Sequence, residues 1–211
     1  MKTAKRPSDK LRWCEICLLL LAAVFLLSGT LALGTQSRLA DKVVRLHVLA
    51  NSDEEADQAL KLRVRDAVLA RTEELLRQSA DRREAEASLR GELLELERIA
   101  AEEIAAAGYD YPVTAELTDT RFPTREYDGF TLPAGQYLAL RIVIGEGAGR
   151  NWWCVVFPPL CTAAAADVPA AALAAGLEEE ELRLITEEDG GYVLRFKTVE
   201  WWEQLRARLE G

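Results

Sequence analysis

Histidine is nearly absent from this chain: His47 is the single one among 211 residues. No serine sits in a G-x-S-x-G elbow and no H-E-x-x-H occurs, which excludes a nucleophile-elbow hydrolase and a zincin. Carboxylates are plentiful, but none forms an isolated pair in an apolar context, so no acid–base couple stands out. Base is the minority charge, with 26 Lys and Arg against 35 Asp and Glu and a net charge of −9. Lys2, Lys5, Arg6, Lys10 and Arg12 crowd the N-terminus beside Asp9 and Glu15, so the remainder is more acidic still. Nucleic acid and anionic lipid surfaces reward clustered Lys and Arg, and such a body suits neither. Nothing indicates a cofactor, a metal or a small-molecule substrate.

Charge of either sign is missing from Ile16 to Leu33. As a helix this run would span ~27 Å, close to the hydrocarbon thickness of a bilayer. The basic cluster before it keeps the N-terminus in the cytoplasm and sends the rest across the membrane. Ala32-Leu33-Gly34 fits a signal-peptide cleavage site, while the length also suits an uncleaved anchor, and both versions of export stay open. A buried core helix fits poorly, because the run is hydrophobic all round. The expected organisation is 1–34 as signal peptide or membrane anchor, then 35–211 as one exported acidic domain with a core of its own.

Cysteine is scarce and comes in two pairs. Cys14 and Cys17 form a C-x-x-C with neither a thioredoxin-like context nor a second ligand pair, so redox or zinc chemistry is not indicated. Cys154 and Cys161 fall in the exported part, where a disulfide can persist; a bonded pair and a buried reduced pair are both open. Neither has a helix N-terminus or a cationic setting in sequence that would lower its pKa.

Taken in order, Val43–Ala50 reads as a strand with Val44, Leu46 and Val48 on one face and Arg45, His47 and Leu49 on the other. Ser52 and Glu55 offer a capping box for a helix from Glu54 to about Ser79, uninterrupted by Gly or Pro. Its stripe runs through Ala56, Leu60, Val64 and Val68, widened by Leu62, Leu69 and Leu76. Asp81 and Glu84 repeat the signature for a second helix, with Leu89, Leu93, Leu96, Ala100 and Ile104 inward and a stop at Gly108. The two helices should form an antiparallel hairpin.

The period then becomes two. Val113, Ala115 and Leu117 mark a half-exposed strand, Arg121–Gly135 a turn-rich connection, Gln136–Ile144 the strongest strand, and Asn151–Phe157 the next. The glycines of Gly145–Gly149 join two strands instead of opening a helix, so they read as a hairpin turn and not as a phosphate loop. Thr162–Gly176 reads as a loop and short helix, and the acids Glu178–Glu181 as a solvated helix start without calcium-loop spacing. Tyr192–Lys197 reads as a last strand and Val199–Leu209 as a closing amphipathic helix. The predicted class is α+β: an export or transmembrane helix, a strand, a two-helix hairpin, a mostly antiparallel β meander and a C-terminal helix.

Four of the five tryptophans form adjacent pairs, Trp152-Trp153 and Trp201-Trp202. Neighbours on a strand face opposite sides, so one of Trp152 and Trp153 should be core and the other exposed, next to Pro158-Pro159. An exposed tryptophan there is a candidate anchor for a protein partner, against the alternative that both cap one core. His47 could pair with Cys154 or Cys161 as a Cys–His hydrolase, against a structural role for the histidine.

Three stretches carry a resemblance. Val43–Leu69 (VVRLHVLANSDEEADQALKLRVRDAVL), Phe122–Cys161 (FPTREYDGFTLPAGQYLALRIVIGEGAGRNWWCVVFPPLC) and YVLRFKTVEWWEQL near the end resemble stage II sporulation protein R of endospore-forming bacteria. The likeness runs from about residue 40 to 208, and the alanine-rich 162–180 departs from it. It implies a non-enzymatic signal, made in the forespore and exported into the space between the two sporulation membranes. There it would trigger a membrane-embedded aspartic protease of the mother-cell membrane, which removes the pro-sequence of sigma factor E. Chemistry alone suggests the contact surface: Asn51, Ser52 and Asp53 with Arg150, Asn151 and the exposed member of Trp152/Trp153. The competing functions are an exported Cys/His envelope hydrolase and a structural envelope module.

Overall fold

β1 (Val44–Leu49) is buried along its whole length, because it lies inside the sheet with a layer packed on each face. The computed structural model describes residues 13, 16–20, 34, 36–161 and 168–186, and these build an α+β fold. Three helices follow β1: α1 (Glu55–Leu76), α2 (Arg82–Gly91) and α3 (Leu93–Ala106). Then come β2 (Val113–Phe122), the short β3 (Arg125–Tyr127) and β4 (Phe130–Leu132), and the long β5 (Gly135–Ile144). β6 (Asn151–Phe157), α4 (Val168–Ala174) and α5 (Glu179–Thr186) complete the described elements.

The main sheet has the order β2-β5-β1-β6, with β1 parallel to β5 and every other pairing antiparallel. This corrects the expected meander. The helices carry the chain back past β1, as a parallel neighbour requires, and the two most apolar strands take the centre. The connection Gly145–Arg150 is accordingly not a hairpin turn, since β5 and β6 lie on opposite sides of β1 and the glycines pass over the end of that strand. The turn-rich stretch 121–135 contains the β3–β4 hairpin, closed at Asp128-Gly129, a dipeptide suited to a two-residue turn.

The alternation of β1 sorts its side chains as predicted. Val44, Leu46 and Val48 join Leu138, Leu140, Ile142 and Ile144 against Leu60, Val64 and Val68 of α1 and Leu96, Ala100 and Ile104 of α3. The opposite face meets a second core of Phe122, Phe130, Leu132, Tyr137, Val155 and Leu160, closed by Ala172, Leu177 and Ile185. α1 and α3 run antiparallel, as the ion pairs Arg63–Glu103 (3.2 Å) and Arg71–Glu92 (2.7 Å) show. The second helix is broken into α2 and α3 at Glu92, whose backbone leaves helical geometry at φ −110° and ψ 7°. Asp81 does cap α2, accepting from the Glu84 N–H at 2.9 Å.

Two further expectations need amending. Ala56 and Leu62 are exposed, while Asp57 and Lys61 are buried in the first turns of α1. That end of the helix faces the polar connection 145–150 and not the apolar layer. Glu181, expected in a solvated acidic run, turns inward to accept from Lys42 (2.8 Å) and the Glu178 N–H (2.8 Å). Of the apolar run 16–33, residues 16–20 are described, helical and exposed. Among the described residues no helix is long and apolar enough to cross a membrane. The expected strand 192–197, closing helix 199–209 and Trp201-Trp202 lie outside the described residues.

Packing on two faces makes β1 the most sensitive element. Leu46→Ala should cost ~2–5 kcal/mol, whereas Leu94→Ala, at a side chain left 84% exposed on α3, should change stability by about 0.5 kcal/mol or less. Urea unfolding midpoints of the two variants at constant m-value check this.

Candidate functional site

Where the 145–150 connection crosses β1, it is fastened to the turn that follows that strand. Asn51 Oδ1 accepts the Glu146 N–H (3.1 Å), its carbonyl accepts the Ala148 N–H (3.1 Å), and the Ala50 carbonyl accepts the Gly149 N–H (3.0 Å). The crossing is so close that glycine is required twice. Gly145 has φ +58° and its missing side chain would run into Asn51, while a Cβ on Gly149 would meet the Ser52 carbonyl. The segments 51–53 and 150–153, distant in sequence, are thereby one surface.

Ser52 is not the N-cap of α1. Glu54 holds that position without a side-chain cap, and Ser52 instead donates to Asp57 Oδ2 at 2.6 Å and accepts the Glu54 N–H at 3.2 Å. Asn51 Nδ2 donates to the same carboxylate oxygen at 2.9 Å. These hydrogen bonds, Ser52 first, then Asn51 and with a smaller one from Tyr111, hold the Asp57 carboxyl below the usual range against the opposing effect of burial. Lys61, its pKa lowered mainly by burial, donates to the Arg150 carbonyl (2.9 Å) and to Gln58 (2.6 Å). Asp53 Oδ1 accepts the Arg150 N–H (2.7 Å) and lies 3.6 Å from the Arg150 side chain. These bonds tie the turn to the start of α1 and to the 145–150 connection.

β6 then presents its two tryptophans to opposite layers. Trp152 stays 37% exposed on the helical side, with the Arg65 guanidinium 4.3 Å from its ring centre. Leu62, one turn earlier on α1, is exposed beside it in sequence spacing. Trp153 is half-buried on the other side, packed between Phe122 and His47 and covered by Arg125 at 3.9 Å. The predicted division of the pair onto two faces is what the strand produces.

His47 is buried and its Nε2 donates to Asn151 Oδ1 at 2.7 Å, the tautomer this partner requires; Nδ1 has no hydrogen-bond partner. Burial lowers its pKa, with Arg141 and Arg45 adding to the effect and the Asn151 bond opposing it. The imidazole is committed to Asn151 and joins neither cysteine, so the Cys–His pairing is not formed.

Cys154 and Cys161 are free thiols that meet at the Val155 backbone, where Cys161 Sγ accepts the N–H at 3.1 Å and Cys154 Sγ lies 3.9 Å from the carbonyl oxygen. Their setting is cationic after all: Arg45 on the neighbouring strand acts electrostatically on both. Arg45 is fully buried, stacked over Phe122 at 3.9 Å and near Tyr137 at 5.0 Å, and it donates to the Tyr127 hydroxyl. Its Nε and Nη1 have no partner. Sequence reading had placed Arg45 on the His47 face but could not bury it, because burial follows from β1 being central. Asp57, Lys61, Arg65 and Arg125 were not singled out, being charged residues off the apolar stripe of an amphipathic helix or within a turn-rich connection.

Comparison with known proteins bears on this arrangement. The family model described as stage II sporulation protein R matches residues 40–167, a range containing every residue of the 51–53 and 150–153 surface. The stage II sporulation protein R of Bacillus subtilis (strain 168) is 40% identical over 121 residues, 57% of this chain and 54% of that relative. The chain thus spans about half the length of the curated relative it matches. No solved structure matches it.

Two titrations should mark the surface. The folded state disfavours protonated His47, so stability is expected to fall as pH drops below the ordinary histidine value of 6.5, levelling once the folded pKa is passed. The depressed Asp57 contributes fully above its ordinary value of 3.8 and loses its contribution as pH falls through the lower folded one. Urea midpoints taken in steps from pH 7.5 to 3 should show both limbs. His47→Gln should flatten the first, and Asp57→Asn should remove the second while costing ~1–3 kcal/mol at neutral pH.

Proposed function

Because this chain belongs to the stage II sporulation protein R family, we propose that it serves sporulation as an exported signal that works by being recognised. In this reading the domain beyond residue 34 is delivered from the forespore into the space between the two sporulation membranes. It stays attached to the membrane through 16–33 if that run is not cleaved. Its receptor is a membrane-embedded aspartic protease of the mother-cell membrane, whose activation leads to processing of pro-sigma-E. The observation that carries the reading is the family match over 40–167. The commitment of His47 to Asn151 speaks against the Cys–His hydrolase alternative.

A signal of this kind acts only if it binds the active arrangement of the protease more tightly than the resting one. The surface best suited to that task is the fastened turn 51–53 with Arg150, Asn151 and Trp152. Its backbone is held by internal hydrogen bonds, so little order has to be gained on binding. Trp152 under Arg65 supplies an amphipathic anchor of the kind that dominates protein interfaces. The buried partners Asp57 and Lys61 position the turn and do not contact the receptor.

Co-expression of the full chain with the candidate protease and its pro-sigma substrate in a non-sporulating host tests both levels. Trp152→Ala should remain folded and exported, with stability within about 1 kcal/mol of the parent, and lose at least tenfold in processing rate. Trp153→Ala should instead unfold the domain, because it vacates the space between Phe122 and His47. Normal processing by folded, exported Trp152→Ala sinks the surface. No processing with the unsubstituted chain sinks the signalling role and leaves a structural envelope module.

A further inference from the structure

Two thiols packed on the backbone of a single residue are neighbours that side-chain rotation can bring to a bond about 2 Å long. Cys154 and Cys161 meet that condition, and they differ in access. Cys154 is 2% exposed on the helical face of β6, while Cys161 is half-buried at the outer edge of the strand, between the two cores. There it accepts the Val155 N–H, a donor that supports a negative sulfur. Next in range is Arg45, a fully buried cation whose Nε and Nη1 have no partner. A buried guanidinium with no carboxylate beside it favours the thiolate, the nucleophilic form of cysteine, in a neighbouring thiol.

We propose that Cys161 and Cys154 are a redox pair, oxidised by an external disulfide to an intramolecular bond, with Cys161 as the attacking and Cys154 as the resolving thiol. In the first step the Cys161 thiolate attacks one sulfur of the external disulfide, forming a mixed disulfide and expelling one external thiolate. In the second, Cys154 gives up its proton and attacks the Cys161 sulfur, which expels the other external thiolate and leaves the Cys154–Cys161 bond. Two electrons pass from the pair to the external disulfide, and the two cysteine protons end on the two expelled thiols. The order of attack agrees with the direction of titration. The neighbouring Cys154 thiol foremost, together with the Val155 N–H and the Arg45 cation, lowers Cys161. The neighbouring Cys161 and burial raise Cys154. The bond would tie the end of β6 to the segment that follows Pro158-Pro159 and fix the strand that carries Trp152. It rests on side-chain placement alone and stands whether or not the signalling role does.

The test uses the full chain in detergent with Cys14→Ser and Cys17→Ser, reduced and then exposed to glutathione disulfide at neutral pH, with alkylation and intact mass as the readout. The expected product has lost two hydrogens, carries no glutathione and resists alkylation at both cysteines. Its thermal midpoint should rise by roughly 5–10 °C. Adding Cys154→Ser should trap glutathione on Cys161, and adding Cys161→Ser should leave Cys154 unmodified over the same time. Should either serine variant misfold, the pH–rate profile for alkylating Cys161 in the intact pair still decides. An inflection below the ordinary thiol value of about 8.5 is expected, and one at or above it overturns the assignment. Full alkylation of both cysteines after oxidation, or glutathione reaching Cys154 as fast as Cys161, also overturns it.

Discussion

A positive charge in the middle of a β-sheet, with no carboxylate beside it among the described residues, is the constraint on which the second layer depends. Taking an ion out of water costs several kcal/mol even after relaxation. Arg45 offsets that cost with aromatic faces and a phenol. Phe122 comes from the end of β2, Tyr127 from β3 and Tyr137 from β5, and all three converge on the guanidinium. A desolvated cation over an aromatic ring is worth ~2 kcal/mol, so several rings are needed and several elements must supply them. The small β3–β4 hairpin has its physical reason here, since it delivers Tyr127 and Phe130 as a stacked pair, with ring centres 4.7 Å apart, over the sheet. Burial pushes the Tyr127 phenol up to about 12, so it stays a neutral partner at every physiological pH.

The other layer is ordinary by comparison, an apolar sheet face under antiparallel helices. Its one polar region lies where α1 begins, and there the chain changes strategy. Instead of apolar contact, Asp57 and Lys61 hold the turn after β1 and the connection into β6 through hydrogen bonds. Leaving one of these partners unmade would strand a buried charge, so the arrangement is both costly and specific. Specificity of that sort suits a surface that must keep one shape in order to be recognised.

Much of this was legible from periodicity, and the failures share one cause. The faces of β1, the inward stripe of α3, the Asp81 cap and the division of Trp152 from Trp153 all follow from local spacing, and local spacing is preserved in the fold. Strand order is not local. Nothing in QYLALRIVI says that it lies beside VRLHVL and not beside NWWCVVF, so Gly145–Gly149 was read as a hairpin turn. Once β1 is known to be central, the burial of Arg45 and His47, the cationic setting of the cysteines and the clamp at Asn51 all follow. Ser52 shows the same limit on a smaller scale. Its spacing to Glu55 suits a capping box, but the hydroxyl is oriented to donate to Asp57 and accepts the N–H of Glu54 instead of Glu55.

The position of β1 has one more consequence, for the order of assembly. It is the first strand among the described residues, yet both its neighbours, β5 and β6, come only after the helices and the hairpin. A polypeptide that emerges N-terminus first must therefore carry this sticky segment unpaired while most of the molecule is still arriving. Contacts so far apart in the chain form slowly and leave apolar strand edges open in the meantime. Arg45 and His47, a charged and a polar side chain on an otherwise apolar strand, are of the kind that makes an unpaired strand less prone to pair with copies of itself.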